Sequence, residues 1–289
     1  MENQMDCVDF AFLDSGTGGI PYMLALKEKM PAARCVYLGD TAHFPYGEKS
    51  QEEVTRCASD TIRQIVHHWN PKTIVIACNT ISVTSLDDLR SLFPQTPIVG
   101  TVPAIKLAAK VTRNKRIGLL ATNATVRHPY CARLIRDFAS DCSVFSRGDP
   151  DLIAFIEHEL FTATEAQKCD AVAPAVEFFR DAGCDTIVLG CTHFTHIAKE
   201  IAEVVGAGVQ VVDSREGVAN QAIRVETKKQ ESESAWNANE SVESAALPAD
   251  KTFFVTACTD CRENSSINQR TEYETLCANL HIPFGGVLS

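Results

Sequence analysis

Two short apolar runs repeat one pattern of hydrophobic and polar positions. Residues 73–80 read Thr-Ile-Val-Ile-Ala-Cys-Asn-Thr, and residues 186–193 read Thr-Ile-Val-Leu-Gly-Cys-Thr-His. Both are rich in β-branched residues and lack the alternation of a half-exposed strand. Each therefore predicts a strand buried on both faces, as in a parallel sheet. Cys78 and Cys191 then fall at the carboxyl ends of their strands, where open α/β sheets bind ligands. A second pair of runs matches as well: residues 10–19 and 117–126 are apolar strands ending in polar loops. From Leu13 to Cys78 is 65 residues, and from Leu120 to Cys191 is 71. The recurrence predicts two half-molecules, each delivering one cysteine to the same place in its fold. Facing each other across a pseudo-twofold, the halves would point both thiols into one cleft. Taken singly, each cysteine also fits a plain core position, because free cysteine is among the most buried residue types.

The remaining pattern fills in these halves. Residues 8–13 predict the first strand, and 14–19, Asp-Ser-Gly-Thr-Gly-Gly, a turn into a helix that runs to about Lys29. Glycines there let the backbone approach a ligand, and a helix amino terminus favours an anion; a tight strand-to-helix turn is the competing explanation. Residues 35–40 read as a strand and 41–47 as an ordered loop punctuated by Pro45 and Gly47. Helical spacing covers 51–69, with Val54, Ile62, Ile65 and Val66 on or near one face. His67 and His68 close that helix, where they complement its dipole. Further helices are predicted over 82–93, 103–112, 125–138, 151–160, 166–182 and 195–205. Strands are predicted over 116–121, 185–190 and 209–213, with Ser214 capping a helix to about Glu226. Residues 228–250, rich in Glu, Ser, Asn and Ala, read as a solvated insertion without candidate site residues. A final strand is predicted over 251–256.

Bulk properties narrow the function. The chain has 289 residues, 45% of them apolar, which suggests about two ordinary globular domains. A net charge of −10 argues against a nucleic-acid or anionic-membrane partner. There is no secretory pattern at the amino terminus and no apolar run of membrane-spanning length. Twelve cysteines scattered along such a chain point to free thiols in a reducing cytosol, hence a cytoplasmic protein. Cys258 and Cys261 form one Cys-x-x-Cys pair without a second pair at zinc spacing, so no metal site is expected.

Two opposed thiols suit stereoinversion at a carbon acid. One thiolate removes a proton from one face, and the opposite thiol returns a proton to the other. A lone base tends to return its proton to the face it came from. Nearby charges must tune the thiols, and the planar carbanion needs preorganised donors. Asn79, Thr80 and Thr192 stand beside the cysteines as donors for a carboxylate. His193, two residues after Cys191, is a candidate proton partner, or a satisfied structural histidine.

The segments 14–19, 45–47, 77–82, 99–104 and 189–193, in this order and spacing, resemble the bacterial glutamate racemases of the cofactor-independent aspartate/glutamate racemase superfamily. The resemblance covers about residues 8–224 and 253–256. It implies two flavodoxin-like, doubly wound α/β domains with the active site in the cleft between them: residues 1–98 plus 212–289 as the first, 99–211 as the second. It implies that Cys78 and Cys191 are the acid/base pair, with Cys78 serving D-glutamate and Cys191 L-glutamate. Asp14, His193 and Glu157 match the assisting groups. Substrate contacts map onto Asp14, Ser15, Tyr46, Gly47, Asn79, Thr80, Thr122, Thr125, Thr192 and His193. Glutamate as substrate, a homodimer, no pyridoxal phosphate, metal or nucleotide, and D-glutamate supply for peptidoglycan are implied likewise. The chain departs from the family pattern at Phe194-Thr195, where Tyr-Pro is usual, and at Ala121, His128, Ala154 and Ala257. None of these is a proton-transfer position. An aspartate racemase, a single-cysteine decarboxylase and a non-enzymatic binding module are the competing readings; retention of both cysteines disfavours the second, and the third leaves the pair unexplained.

Overall fold

The computed structural model describes residues 8–234, 252–258 and 269–288, with side chains through residue 228 in the first stretch. Among the described residues ten strands form two wholly parallel sheets. The first sheet contains β1 (Phe10–Asp14), β2 (Cys35–Gly39), β3 (Thr73–Ile76) and β4 (Ile98–Gly100). The second contains β5 (Arg116–Ala121), β6 (Ser143–Gly148), β7 (Thr186–Leu189) and β8 (Gln210–Val212). The chain then returns to the first sheet as β9 (Phe253–Val255) and β10 (Phe284–Val287). The strand orders are β10-β9-β2-β1-β3-β4 and β6-β5-β7-β8. Within each sheet the first four strands therefore lie in the order second, first, third, fourth, the doubly wound flavodoxin-like arrangement.

Both faces of the central strands are covered, which explains the unbroken apolar runs. In β1, Phe10 and Phe12 enter one core cluster, and Ala11 and Leu13 enter the cluster on the other face. The second sheet repeats this, with Ile117 and Leu119 on one face of β5 and Leu120 on the other. The helix Gln51–Trp69 begins at a Ser50–Glu53 capping box and buries Val54, Ile62 and Ile65 against the first sheet. The helix Arg215–Ser234 packs on the helix Ile20–Lys29. Among the described residues no helix is long and apolar enough to cross a membrane.

Several elements differ from the sequence reading. The helix expected over 82–93 is two helices, Asn79–Thr84 and Leu86–Leu92, separated at Ser85. Thr84 Oγ1 donates to the Thr80 carbonyl at 2.8 Å, one of the side-chain bonds by which Ser and Thr compete with the helical ladder. The helix expected over 125–138 divides into Asn123–Arg127 and Pro129–Phe138, because Pro129 cannot continue a helix and His128 caps the second piece. The one expected over 195–205 opens as a 3-10 segment, Thr192–Ile197. β6 was not anticipated; it is an edge strand of intermediate exposure without strong periodicity. The strand over 251–256 is not the last, for the helix Gln269–Leu280 and β10 follow. β10 reads Phe-Gly-Gly-Val, poor in β-formers, and a Cβ on Gly285 would collide with the Phe254 ring. The segment expected as a solvated insertion begins inside the helix Arg215–Ser234, and residues 235–250 lie outside the described residues, as does Cys261 of the Cys-x-x-Cys pair.

Candidate active site

The carboxyl ends of β1, β2, β3, β5 and β7 converge on one cavity of about 280 Å³. Asp14 and Ser15 enter it from β1, Tyr46 and Gly47 from the loop after β2, Cys78, Asn79 and Thr80 from β3, Thr122 from β5, and Cys191, Thr192 and His193 from β7. Both thiols thus line the same cavity, one from each sheet, and each is only 5% exposed. Two residues of the sequence-derived set stand behind it. Glu157 lies behind His193, and Thr125 lies beneath Thr122, where its N–H donates to Thr122 Oγ1 at 3.0 Å and its hydroxyl accepts from Thr122 at 2.9 Å.

Each cysteine has its own carboxylate. Cys78 is the N-cap of the helix Asn79–Thr84, so the first N–H groups of that helix, that of Ile81 among them, favour negative charge on its sulfur. Burial drives the Cys78 thiol well above its usual range, and the adjacent Asp14 charge adds to this; the Ile81 N–H opposes both. Asp14 is fully buried, and desolvation raises its own carboxyl despite the His193 charge and the Ser15 N–H, which donates to Oδ1 at 2.7 Å. Thr192 Oγ1 donates to Asp14 Oδ2 at 3.1 Å, joining the two sheets beside the cavity.

On the other wall His193 Nδ1 lies 3.6 Å from Cys191 Sγ, and His193 Nε2 lies 3.0 Å from Glu157 Oε2. Burial alone would drive the ring neutral, but the bonds to Cys191 and Glu157 and their charges outweigh it and hold His193 well above its ordinary range. Burial also opposes the Glu157 charge, and His193 together with two bonds from Thr17 outweighs it, so Glu157 sits below the usual carboxylate range. A carboxylate–imidazole pair facing a thiol is the arrangement that orients an acid/base cysteine.

Among the described residues lining the cavity there is no lysine or arginine. The lining offers hydroxyl, amide and backbone donors instead. Asn79 is the most telling, because its Oδ1 and Nδ2 are both buried and neither has a hydrogen-bond partner among the described residues. A paired donor and acceptor left unsatisfied at a cavity wall is an arrangement for a polar ligand.

The glycine-rich turn does something other than cradle an anion. A Cβ on Gly16 would stand 2.7 Å from Glu157 Oε1, and one on Gly18 would stand 2.5 Å from His193 Nδ1. The glycines admit the second half's side chains, not a ligand. The structure also adds lining residues that the sequence reading did not assign to the site, though it noted Pro45 and Ala154 on other grounds. Phe44, Pro45, Glu48, Asn123, Pro150, Asp151, Ile153 and Ala154 complete the lining. Buried Asp40 accepts from the Tyr46 hydroxyl and from Thr256 Oγ1 at 2.8 Å, fixing the ring that lines the cavity. An aspartate directly after the apolar run 35–39 was the available signal for Asp40. Thr256 gave none, since its partner is 216 residues away.

Removing the Asp14 charge should make Cys78 easier to ionise. In Asp14→Asn, the alkylation of Cys78 by iodoacetamide at pH 8, followed on its own peptide by mass spectrometry, is expected to rise severalfold. An unchanged or slower rate would mean that Asp14 does not hold the thiol protonated.

Comparisons with known proteins agree with this geometry. The family described as Asp/Glu/Hydantoin racemase matches residues 23–222. A protein of Treponema pallidum named glutamate racemase is 40% identical over 225 residues, which is 78% of this chain and 84% of that one. The glutamate racemase of Proteus mirabilis is 41% identical over 210 residues, 71% and 72% of the two chains. Among solved structures, Escherichia coli glutamate racemase in complex with L-glutamate and the activator UDP-MurNAc-Ala superposes with a TM-score of 0.76. It is 27% identical, and 97% of each chain is covered.

Proposed function

The chain belongs to the Asp/Glu/hydantoin racemase family and is an amino-acid racemase; from that premise we propose that it interconverts L- and D-glutamate by proton transfer between Cys78 and Cys191. The observation that carries the reading is the pairing of two thiols on one cavity, each backed by its own carboxylate. L-glutamate as the ligand of the similar Escherichia coli enzyme supports the substrate.

The chemistry follows from the two walls. L-glutamate lies with its Cα between the sulfurs. His193, held as the imidazolium, donates from Nδ1 to the Cys191 sulfur and supports its thiolate, which removes the Cα proton from one face. Glu157, bonded to Nε2, holds the imidazole with that nitrogen protonated and stabilises the imidazolium. The carbanion's charge spreads into the α-carboxylate, which the hydroxyl, amide and backbone donors around Asn79, Thr80 and Thr192 receive. Cys78 then donates its proton to the opposite face, giving D-glutamate. In reverse, Asp14 receives the Cys78 thiol proton, and Cys78 attacks D-glutamate. The enzyme needs two differently supported thiols because the faces present their protons to different halves of the protein.

On this reading residues 1–98 plus 212–289 and 99–211 act as the two domains. The product serves as D-glutamate for peptidoglycan, and the enzyme works as a cytoplasmic homodimer. The deciding experiment follows optical rotation with purified protein. Either glutamate enantiomer should decay to zero rotation, while aspartate keeps its rotation. Racemisation of aspartate with glutamate untouched would replace the substrate.

A further inference from the structure

The carboxylate–imidazole pair behind Cys191 is held in part by the other half of the molecule. Thr17, in the turn after β1, is buried, and its hydroxyl donates to Glu157 Oε2 at 2.6 Å. Its N–H donates to the same oxygen at 2.9 Å. That oxygen is also the partner of His193 Nε2, so a chain of contacts runs from Thr17 through Glu157 and His193 to Cys191. Among the described residues Glu157 Oε1 has no hydrogen-bond partner, so the bonds that orient the carboxylate there all run through Oε2.

The turn is itself fixed. The Tyr37 hydroxyl donates to the Gly16 carbonyl at 2.8 Å and accepts from the Gly19 N–H at 3.0 Å. His196 Nε2 lies 3.0 Å from the Thr17 carbonyl, which only accepts, so this nitrogen carries the proton. The close approach of Gly16 to Glu157 and of Gly18 to His193 leaves the turn one seat against the pair.

We propose that Thr17 is a positioning residue for the Cys191 half-reaction: its hydroxyl, delivered from the first sheet, fixes the Glu157 carboxylate so that His193 presents Nδ1 to the Cys191 thiol. This rests on the two-thiol glutamate reading above and deepens it. Two short bonds to a charged oxygen from a rigid turn remove the rotational freedom of a carboxylate that otherwise has only His193 to orient it. The hydroxyl is the replaceable part, since the N–H bond remains whatever the side chain.

Thr17→Val and Thr17→Ala remove the hydroxyl, and Thr17→Ser keeps it. Loss of one hydrogen bond to a charged group predicts about a tenfold fall in kcat/KM for the first two, equal in both directions because the enantiomers are equally stable. The isotope effects are not equal. With Cα-deuterated L-glutamate, which Cys191 deprotonates, the isotope effect on kcat/KM should rise. With deuterated D-glutamate it should fall towards unity, because the slowed step now follows the labelled one. The serine variant should match the wild type in both. In the absence of substrate, alkylation of Cys191 should slow in the valine and alanine variants, while that of Cys78 is unchanged. A fall in rate with unchanged isotope effects and alkylation, or no fall at all, would overturn the proposal. The alkylation readout stands without any assumption about glutamate, so failure of the substrate assignment and failure of the positioning role give different results.

Discussion

Replacing either cavity thiol by a hydroxyl is expected to lower racemisation roughly 10³- to 10⁴-fold, the contribution typical of a positioned acid or base at its upper end. A serine hydroxyl is far too weak an acid to supply the base at Cα, and the variants Cys78→Ser and Cys191→Ser change little else in shape. The loss should be equally severe for either variant, although the two thiols stand in different surroundings. On the proposed mechanism inversion passes through both sulfurs in each direction, one as base and one as acid. Wild-type protein in deuterium oxide supplies the complementary test. The proton taken from substrate stays on the thiol that removed it, while a solvent-derived deuteron arrives from the opposite thiol. Early product should therefore carry deuterium at Cα, and recovered substrate should carry none. Deuterium appearing in substrate as fast as in product would mean a single base reaches both faces, and the two-thiol mechanism would fall. Single-serine variants extend the logic. With Cys191 intact and Cys78 replaced, exchange or elimination can persist on L-configured substrates, with the opposite selectivity in Cys191→Ser.

The sheet strands that carry the thiols were legible because burial on both faces leaves an unbroken apolar run, and the polar residues that end each run mark the strand's exit. The repeat of those runs predicted two matching halves but no strand order; the structure gives both sheets the same order of their first four strands. β6 and β10 were not legible. One is a half-exposed edge strand and the other is held by pairing with β9 despite two glycines, so tertiary contacts decide them. The same division runs through the site. Cys78, Asn79, Thr80, Cys191, Thr192 and His193 follow directly from strand ends and were legible together. Thr17 was in plain view between two glycines of the turn, yet its partner Glu157 is 140 residues away. No local pattern encodes a bond of that span. The turn's glycines fit either an anion cradle or a plain tight turn, because glycine signals close approach without saying to what, and here the neighbours are Glu157 and His193.

Asn79 offers a prediction in which stability and catalysis move in opposite directions. Its side chain is 1% exposed, and neither amide atom has a partner among the described residues. Burying such a group unsatisfied costs about 1–3 kcal/mol, whereas an apolar side chain of similar shape does not pay it. Asn79→Leu is therefore expected to leave the ligand-free fold as stable or up to about 1–2 kcal/mol more stable in urea denaturation. If the amide's partners are the ammonium and carboxylate of bound glutamate, the same variant should lose roughly 10²- to 10³-fold in kcat/KM, since up to two hydrogen bonds to charged groups disappear at about 1.5–3 kcal/mol each and overlap in part. Much of the loss should appear in KM, because the amide holds the substrate before the proton moves as well as during its transfer. Glutamate should also raise the melting temperature of the wild type and fail to raise that of Asn79→Leu, as expected when ligand binds only the folded state through this contact. The opposite pattern, a destabilised variant that still racemises and is still stabilised by glutamate, would place Asn79 in the scaffold and leave the substrate's charged groups to the hydroxyls of Ser15, Thr80 and Thr192.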